Sequence, residues 1–259
     1  MQKPHKLNSF IGLIVPWTFW FSMVLVWELA CQWGEIPEYI LPAPSVIWQA
    51  FLDVEFSRWL GHLWATLRVA FLGFIISVAV SIPLAIIMMR SVLIKRILYP
   101  FLVVIQSTPV VAVAPLIIVL LGTEDSSRIL ITCLITFFPV VVSTTTGMLD
   151  TPEELIELSR SLQAPRYRET WQIRMPYALP HIFSGFRVAI TLAIIGAVVA
   201  EFVAAEEGLG YFIQFSTSFF KIPQAFAGLI FLACVSLLLF KSIQWIQAWW
   251  FPWSMPSEN

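Results

Sequence analysis

The chain has 259 residues, of which 59% are hydrophobic and 12% charged, with a mean hydropathy of +0.83. Soluble domains carry about 25% charged residues, so this composition describes an integral membrane protein and excludes a soluble globular enzyme. The net charge of −1 says nothing about partners, and no basic patch interleaved with aromatics points to nucleic acid.

A bilayer crossing needs about 20 apolar residues. Segments 10–31, 67–89, 98–121, 128–148, 182–204 and 225–246 qualify, predicting an all-α integral membrane fold with six transmembrane helices. The positively charged N-terminus, MQKPHKLNSF, precedes an apolar run too long for a signal peptide, so that run is read as the first span. After it, LPAPSVIWQAFL predicts a short amphipathic helix capped by Ser45 and presenting Val46, Ile47 and Phe51. Pro100, Pro109 and Pro115 divide the third span, and a total of 17 prolines predicts kinked or broken helices. Segment 208–221, GLGYFIQFSTSFFK, reads as interfacial, and IQAWWFPWSM as an aromatic anchor at the other interface. Without repeats or linkers, residues 1–259 read as one domain. Cys31, Cys133 and Cys234 lie far apart in apolar sequence and read as buried, inert thiols.

Lysine and arginine set the orientation. With the N-terminus inside, the inner segments hold Lys3, Lys6, Arg90, Lys95, Arg96, Arg160, Arg166, Arg168 and Arg174. The outer ones hold Arg58, Arg128 and Lys221, with Arg68 near a span end. Both termini and the polar stretch 150–180 are therefore expected in the cytoplasm.

That stretch, DTPEELIELSRSLQAPRYRETWQIRMPYALP, predicts two short helices with a sharp break. Thr151 with Glu154 has capping-box spacing, and Pro152 suits the first helical position. Leu155, Leu158 and Leu162 fall on one face, with Glu153, Glu157 and Arg160 elsewhere. Pro165 stops the first helix and opens a second through Tyr167 and Trp171 to about Arg174.

The sequence lacks GxSxG, HExxH and a glycine-rich phosphate loop, and no cluster has metal-ligand spacing, so neither an enzyme nor a metal site is expected. His5, His62 and His181 read as interfacial. Polar groups inside spans are costly and mark either pathways or helix contacts. The candidates are Gln106, Ser107 and Thr108 before Pro109, then Ser143, Thr144, Thr145 and Thr146, then Glu201. Hydroxyls that bond back to helical carbonyls are the alternative for the Ser and Thr residues. Glu28 and Glu201 read either as interfacial or as buried, as a gate or as half of an ion pair whose partner the sequence does not name. Gly185, Ala189, Ala193, Gly196, Ala197 and Ala200 make a small-residue face, for packing inside the chain or against a second copy.

The 150–180 stretch resembles the EAA loop of permease subunits in bacterial ABC importers. In it, Glu157-Leu158-Ser159 stands for Glu-Ala-Ala, Gln163 for the glycine, and Ile173-Arg174-Met175-Pro176 for the closing Ile-x-Leu-Pro, with no insertion between them. The run ELSRSLQAPRYRETWQIRMPYALPHIFSGFRVA, with WELA, LPAPS and EFVAAEEGLGYFI, is similar to the nitrate/sulfonate/taurine branch. The resemblance implies a type I importer permease fold in a bacterial inner membrane. It implies a homodimer, a cytoplasmic ATPase dimer that uses ATP and Mg, an extracytoplasmic solute-binding protein, and no cofactor on this chain. The coupling residues it implies are Glu153, Glu154, Glu157, Arg160, Leu162, Gln163, Ala164, Arg166 and Arg168. Gln163 is a departure from the pattern. Either it takes the glycine's left-handed conformation at a cost on the order of 1 kcal/mol, or the helix ends differently at Pro165. QSTPVVAVAPL and FFPVVVSTTTGM look more like members that carry pyrimidine or flavin precursors than like sulfonate, taurine or nitrate carriers. A secondary transporter or channel, and a membrane scaffold protein, are the alternative readings.

Overall fold

The structure, a computed structural model, describes residues 6–255, with side chains described from Val15 onward. Lys3 and His5 lie outside the described residues. Among the described residues every regular element is helical: α1 Lys6–Trp33, α2 Pro44–Asp53, α3 Phe56–Arg90, α4 Val92–Ser107, α5 Val110–Leu121, α6 Asp125–Leu149 and α7 Glu153–Ser161. They are followed by α8 Arg166–Ala204, α9 Leu209–Ser218 and α10 Ile222–Trp250. Helices α3, α6, α8 and α10 are long and apolar enough to cross a membrane. The first predicted span falls on α1.

The third predicted span is not straight. Helices α4 and α5 meet at 92°, and together they make a fifth crossing if the pair is one span. Pro109 has no amide hydrogen for the carbonyl of Ile105 and so cannot continue α4. The Thr108 amide instead donates to Val104 and Ile105, and the Ser107 and Thr108 hydroxyls donate to the carbonyls of Val103 and Val104 at 2.7 and 2.9 Å.

The described contacts fall into two compact units, one taking the chain up to Trp59 with Phe212–Phe231, the other Leu60–Tyr211 with the chain from Leu232. The first is centred on Trp59, which is 1% exposed. Its ring packs on Phe51, Phe212 and Phe231, and its indole N–H donates to the Phe51 carbonyl at 3.1 Å. In the same unit Glu28 of α1 reaches the start of α2, accepting from the Ser45 amide at 2.9 Å and the Ser45 hydroxyl at 2.6 Å. Ala43 is the N-cap, with no side-chain bond. Ser45 therefore does not cap α2 as the sequence suggests: it sits inside the first turn and donates to a carboxylate from another helix.

The second unit is built on the pairing of α6 with α8. Val69 and Phe74 of α3, Val140 of α6, Ile190 and Ile194 of α8 and Ile243 of α10 share its main core. The small-residue face of α8 packs here, inside the chain: Gly185, Ala189, Ala193, Gly196, Ala197 and Ala200 are all buried. Three glycines set the approach. A Cβ on Gly147 would lie 2.6 Å from the His181 Cβ, one on Gly185 2.8 Å from the Ser143 Cβ, and one on Gly196 2.9 Å from the Thr132 Cα. The thiol expectation holds only in part, since Cys31 is buried, Cys133 half-buried and Cys234 exposed.

At Gly196 the obstruction is backbone, which cannot rotate away. Gly196→Val should destabilise the detergent-solubilised protein by about 1–3 kcal/mol through overpacking, read as a lowered Tm. An unchanged Tm would show that the α6–α8 approach is not tight at this level.

Candidate functional site

Helix α6 ends at Leu149, and after three linking residues the first hairpin helix, α7, starts at Glu153. Thr151 does not cap α7. It is 7% exposed, and its hydroxyl donates to the Met148 carbonyl at 3.1 Å, satisfying the end of α6 rather than the start of α7. Pro152 takes the N-cap place with no side-chain bond, so the capping box with Glu154 does not form. Glu153 and Glu154 lie in the first turn of α7, where the helix dipole favours acidic charge. Ile156 and Ser159 anchor the helix inward. The opposite ridge stands free, with Leu155, Leu158 and Leu162 41%, 56% and 73% exposed.

The end of α7 answers the question posed by Gln163. Its φ is +52°, in the left-handed region. The Ala164 amide donates to the Ser159 carbonyl at 3.0 Å and the Gln163 amide to the Arg160 carbonyl at 2.9 Å, the paired bonds of a Schellman motif. Gln163 therefore occupies a position that favours glycine, against the left-handed strain of an L side chain.

Pro165 caps α8, which does not stop at Arg174 but runs on through the fifth span as one helix of 39 residues. A wide π turn, Glu169–Arg174, joins the hairpin part to the membrane part. Just after it, Pro176 has no amide hydrogen to give the Gln172 carbonyl, so the α register breaks at little further loss. Arg174 holds the turn in place, its Nε on Glu169 Oε1 at 2.8 Å and its other nitrogen on the Met148 carbonyl at 3.0 Å. At the end of α3, Arg90 donates to the Thr170 hydroxyl at 3.0 Å. The apolar ridge borders a cavity of about 460 Å³ between the two arms, with Arg168, Gln172 and Ile173 on its far wall. Tyr167 and Trp171 add 57% and 56% exposed aromatic surface nearby. Of the predicted coupling residues, Glu153, Glu154, Glu157, Arg160, Leu162, Gln163, Arg166 and Arg168 are exposed, and Ala164 is half-buried.

The other candidates do not converge with the hairpin. Gln106, Ser107 and Thr108 sit exposed at the α4–α5 corner. Ser143 packs on Gly185. Thr144 and Thr145 are buried in α6, their hydroxyls without a hydrogen-bond partner among the described residues. Glu201 has the partner that the sequence does not name. It is 1% exposed, and its Oε2 accepts from the Gly210 amide at 2.7 Å, in the first turn of α9. Thr66 accepts from the Leu209 amide at 2.8 Å and His62 Nδ1 from the Gly208 amide at 3.2 Å, so three successive amides are held. Gly208 has φ +123°, and a Cβ there would fall on the Glu201 carboxyl group, so only glycine fits. Thr66, His62 and Arg90 escape a sequence reading because nothing in their local pattern announces these distant partners. Arg187 was legible as a charge inside a span: it is half-exposed in α8, and no ion pair among the described residues involves it. Among the described residues no group of three or more His, Cys, Asp or Glu could hold a metal ion.

Residues 77–253 match the family described as binding-protein-dependent transport system inner membrane component. The formylaminopyrimidine transport permease protein ThiX of Halalkalibacterium halodurans is 33% identical over 92% of this chain and 95% of its own. The riboflavin transport system permease protein RibX of Chloroflexus aurantiacus is 34% identical over 84% and 82%, and the taurine transport system permease protein TauC of Escherichia coli 28% identical over 89% and 86%. Among solved structures, an inward-facing MetNI methionine ABC transporter superposes with a TM-score of 0.64 at 18% identity, over 74% of this chain and 97% of that one. It shares the fold.

Two substitutions separate strain from fit. Gln163→Gly should raise stability by roughly 1 kcal/mol by relieving the left-handed residue, seen as a higher Tm with assembly unchanged. Gly208→Ala should lower the Tm and increase hydrogen exchange at the amides of 208–210. Protection equal to wild type would mean that the Glu201 contact is not tight.

Proposed function

We propose, on the premise that this chain belongs to the family of binding-protein-dependent transport system inner membrane components, that its hairpin is the part that engages a cytoplasmic ATPase. The chain is the permease subunit of an ATP-binding-cassette importer, a transport component that works with separate ATPase and substrate-binding partners. The observation that carries the docking role is the exposed ridge of Leu155, Leu158 and Leu162 beside a cavity, on a hairpin whose second arm is continuous with a membrane span. Apolar side chains at a polar loop need a partner surface to leave water. Glu153, Glu154, Glu157, Arg160, Arg166 and Arg168 offer charges that set its register. The excess of Lys and Arg on this side of the spans supports a cytoplasmic hairpin and cytoplasmic termini.

In this reading two copies of the chain enclose the pathway. The supporting feature is the α4–α5 corner, where Gln106, Ser107 and Thr108 are exposed, and α5 leads from it to Val119 and Leu120 at its far end, 83% and 81% exposed. Irregular polar backbone at membrane depth is tolerated beside protein or a watery cavity, not lipid. Gln106, Ser107 and Thr108 then line the pathway, while Ser143, Thr144, Thr145 and Glu201 support it by packing and capping. Closure of the ATPases draws the paired hairpins together, and α8, about 58 Å long at 1.5 Å per residue, carries the displacement to the Glu201 clasp.

For the cargo, the names of two relatives, at 33% and 34% identity, favour a pyrimidine or flavin precursor. Arg187 favours a second reading, an organic anion such as a sulfonate, because a cation inside a span with no ion pair among the described residues suits an anionic group.

Glu157→Lys or Leu158→Asp should abolish co-purification of the ATPase while the permease still folds, since both side chains are exposed. Normal assembly and transport in both variants would remove the docking role. Mass spectrometry of the ligand retained by the partner binding protein decides between a neutral heterocycle and a sulfonate.

A further inference from the structure

A second cavity, of about 560 Å³, shares Gln163 and Ala164 with the first but turns a different face. Arg90 from the end of α3, Arg160 from α7, and Arg166, Glu169, Thr170 and Arg174 from the start of α8 line it. Four guanidinium groups thus border one notch with a single carboxylate among them. That carboxylate, on Glu169, is taken by Arg174. Arg90, Arg160 and Arg166 enter none of the ion pairs among the described residues. Arg90 is nonetheless positioned, through its bond to Thr170, which is 2% exposed. Like charges gathered without a counter-charge repel one another, and a fork of planar guanidinium donors matches the oxygens of a phosphate group.

The place of the notch narrows the source. Arg90 is the last residue of a helix apolar enough to cross the membrane, and α4 begins two residues later, carrying Lys95 and Arg96 in its first turns before its apolar run. The notch therefore opens where a span leaves the hydrocarbon, at the level of lipid phosphates. We infer that the Arg90–Arg160–Arg166 notch is a binding site for a phosphate oxyanion, with the headgroup of an anionic lipid favoured over free phosphate by this position. Basic pockets at the inner ends of spans bind such headgroups. A headgroup seated there bridges α3, α7 and α8, so the stance of the hairpin depends on the surrounding lipid. The inference rests on the cytoplasmic reading of the hairpin, but its test uses the permease without the ATPase, so that loss of docking and loss of lipid binding are separate results.

The test is a native mass spectrometry titration of the full-length permease in detergent with dioctanoyl phosphatidylglycerol, dioctanoyl phosphatidylcholine and sodium phosphate. Phosphatidylglycerol should bind about tenfold more tightly than phosphatidylcholine, and Arg90→Gln with Arg166→Gln should weaken it by about tenfold or more. Arg68→Gln, at the other end of the α3 span, should leave it unchanged. Arg160→Gln, which removes no described hydrogen bond, should also weaken binding and covers the case in which loss of Arg90 disturbs Thr170. Glu157→Lys should keep the adduct. Phosphate binding that the notch substitutions abolish, with no competition from lipid, supports the site and assigns it to a free anion. Equal adducts in wild type and in every notch variant, or a wild-type permease that binds neither lipid nor phosphate, overturns it.

Discussion

An amide hydrogen at the start of a helix has no partner inside that helix, and in an apolar setting it cannot borrow one from water. The chain supplies such a partner twice with a carboxylate carried on a long helix, buried at Glu201 and half-exposed at Glu28. Glu28 of α1 accepts from Ser45 at the start of α2, and Glu201 of α8 accepts from Gly210 at the start of α9. In each case the acid lies near the end of a long helix, and the short helix it serves follows a turn rich in proline or glycine. The carboxylate gains from the positive end of the short helix as well as from the hydrogen bond. Two acids that look expensive inside a hydrophobic chain are thus the fasteners of its short helices.

The same economy shapes the α6–α8 pair. Glycines at 147, 185 and 196 bring the two backbones close enough that Thr132, Ser143 and His181 become contact residues rather than free polar groups. Without a hydrophobic drive between helices in lipid, such close packing is what holds spans together. The hairpin is then suspended between the ends of two tightly paired helices, with Arg174 tied to the last turn of one and belonging to the other.

Much of this was legible in the sequence. Four of the six predicted spans fall on helices long and apolar enough to cross a membrane and a fifth on the bent α4–α5 pair, while the hairpin follows from its charge and prolines. Its spacing of Glu157, Gln163 and Pro176 carries the family resemblance, which the comparisons bear out. What was not legible depends on contacts between distant residues. Thr151 has the spacing of a cap, yet the end of α6 takes its hydroxyl, because a local pattern cannot say which of two helix ends will claim a shared side chain. Ser45 fails as a cap for the converse reason, since Glu28 is already there. The even choice for the α8 small-residue face could be settled only by knowing that Thr132 and Ser143 of α6 lie against it. WELA, LPAPS and EFVAAEEGLGYFI were read as separate marks of resemblance, whereas the structure shows the first two bonded to each other and the third bonded within itself.

The π turn at 169–174 conceals the continuity of α8. Each residue of an α-helix advances the chain by about 100°, and one extra residue in a wide turn shifts everything beyond it by about that angle. The two ends of α8 are therefore phased independently. The hairpin end presents Tyr167 by one rule, and the span buries Ala189, Ala193 and Ala200 by another, although all lie on one 39-residue helix. A single rod can in this way aim its two working faces in directions that one unbroken periodicity would forbid.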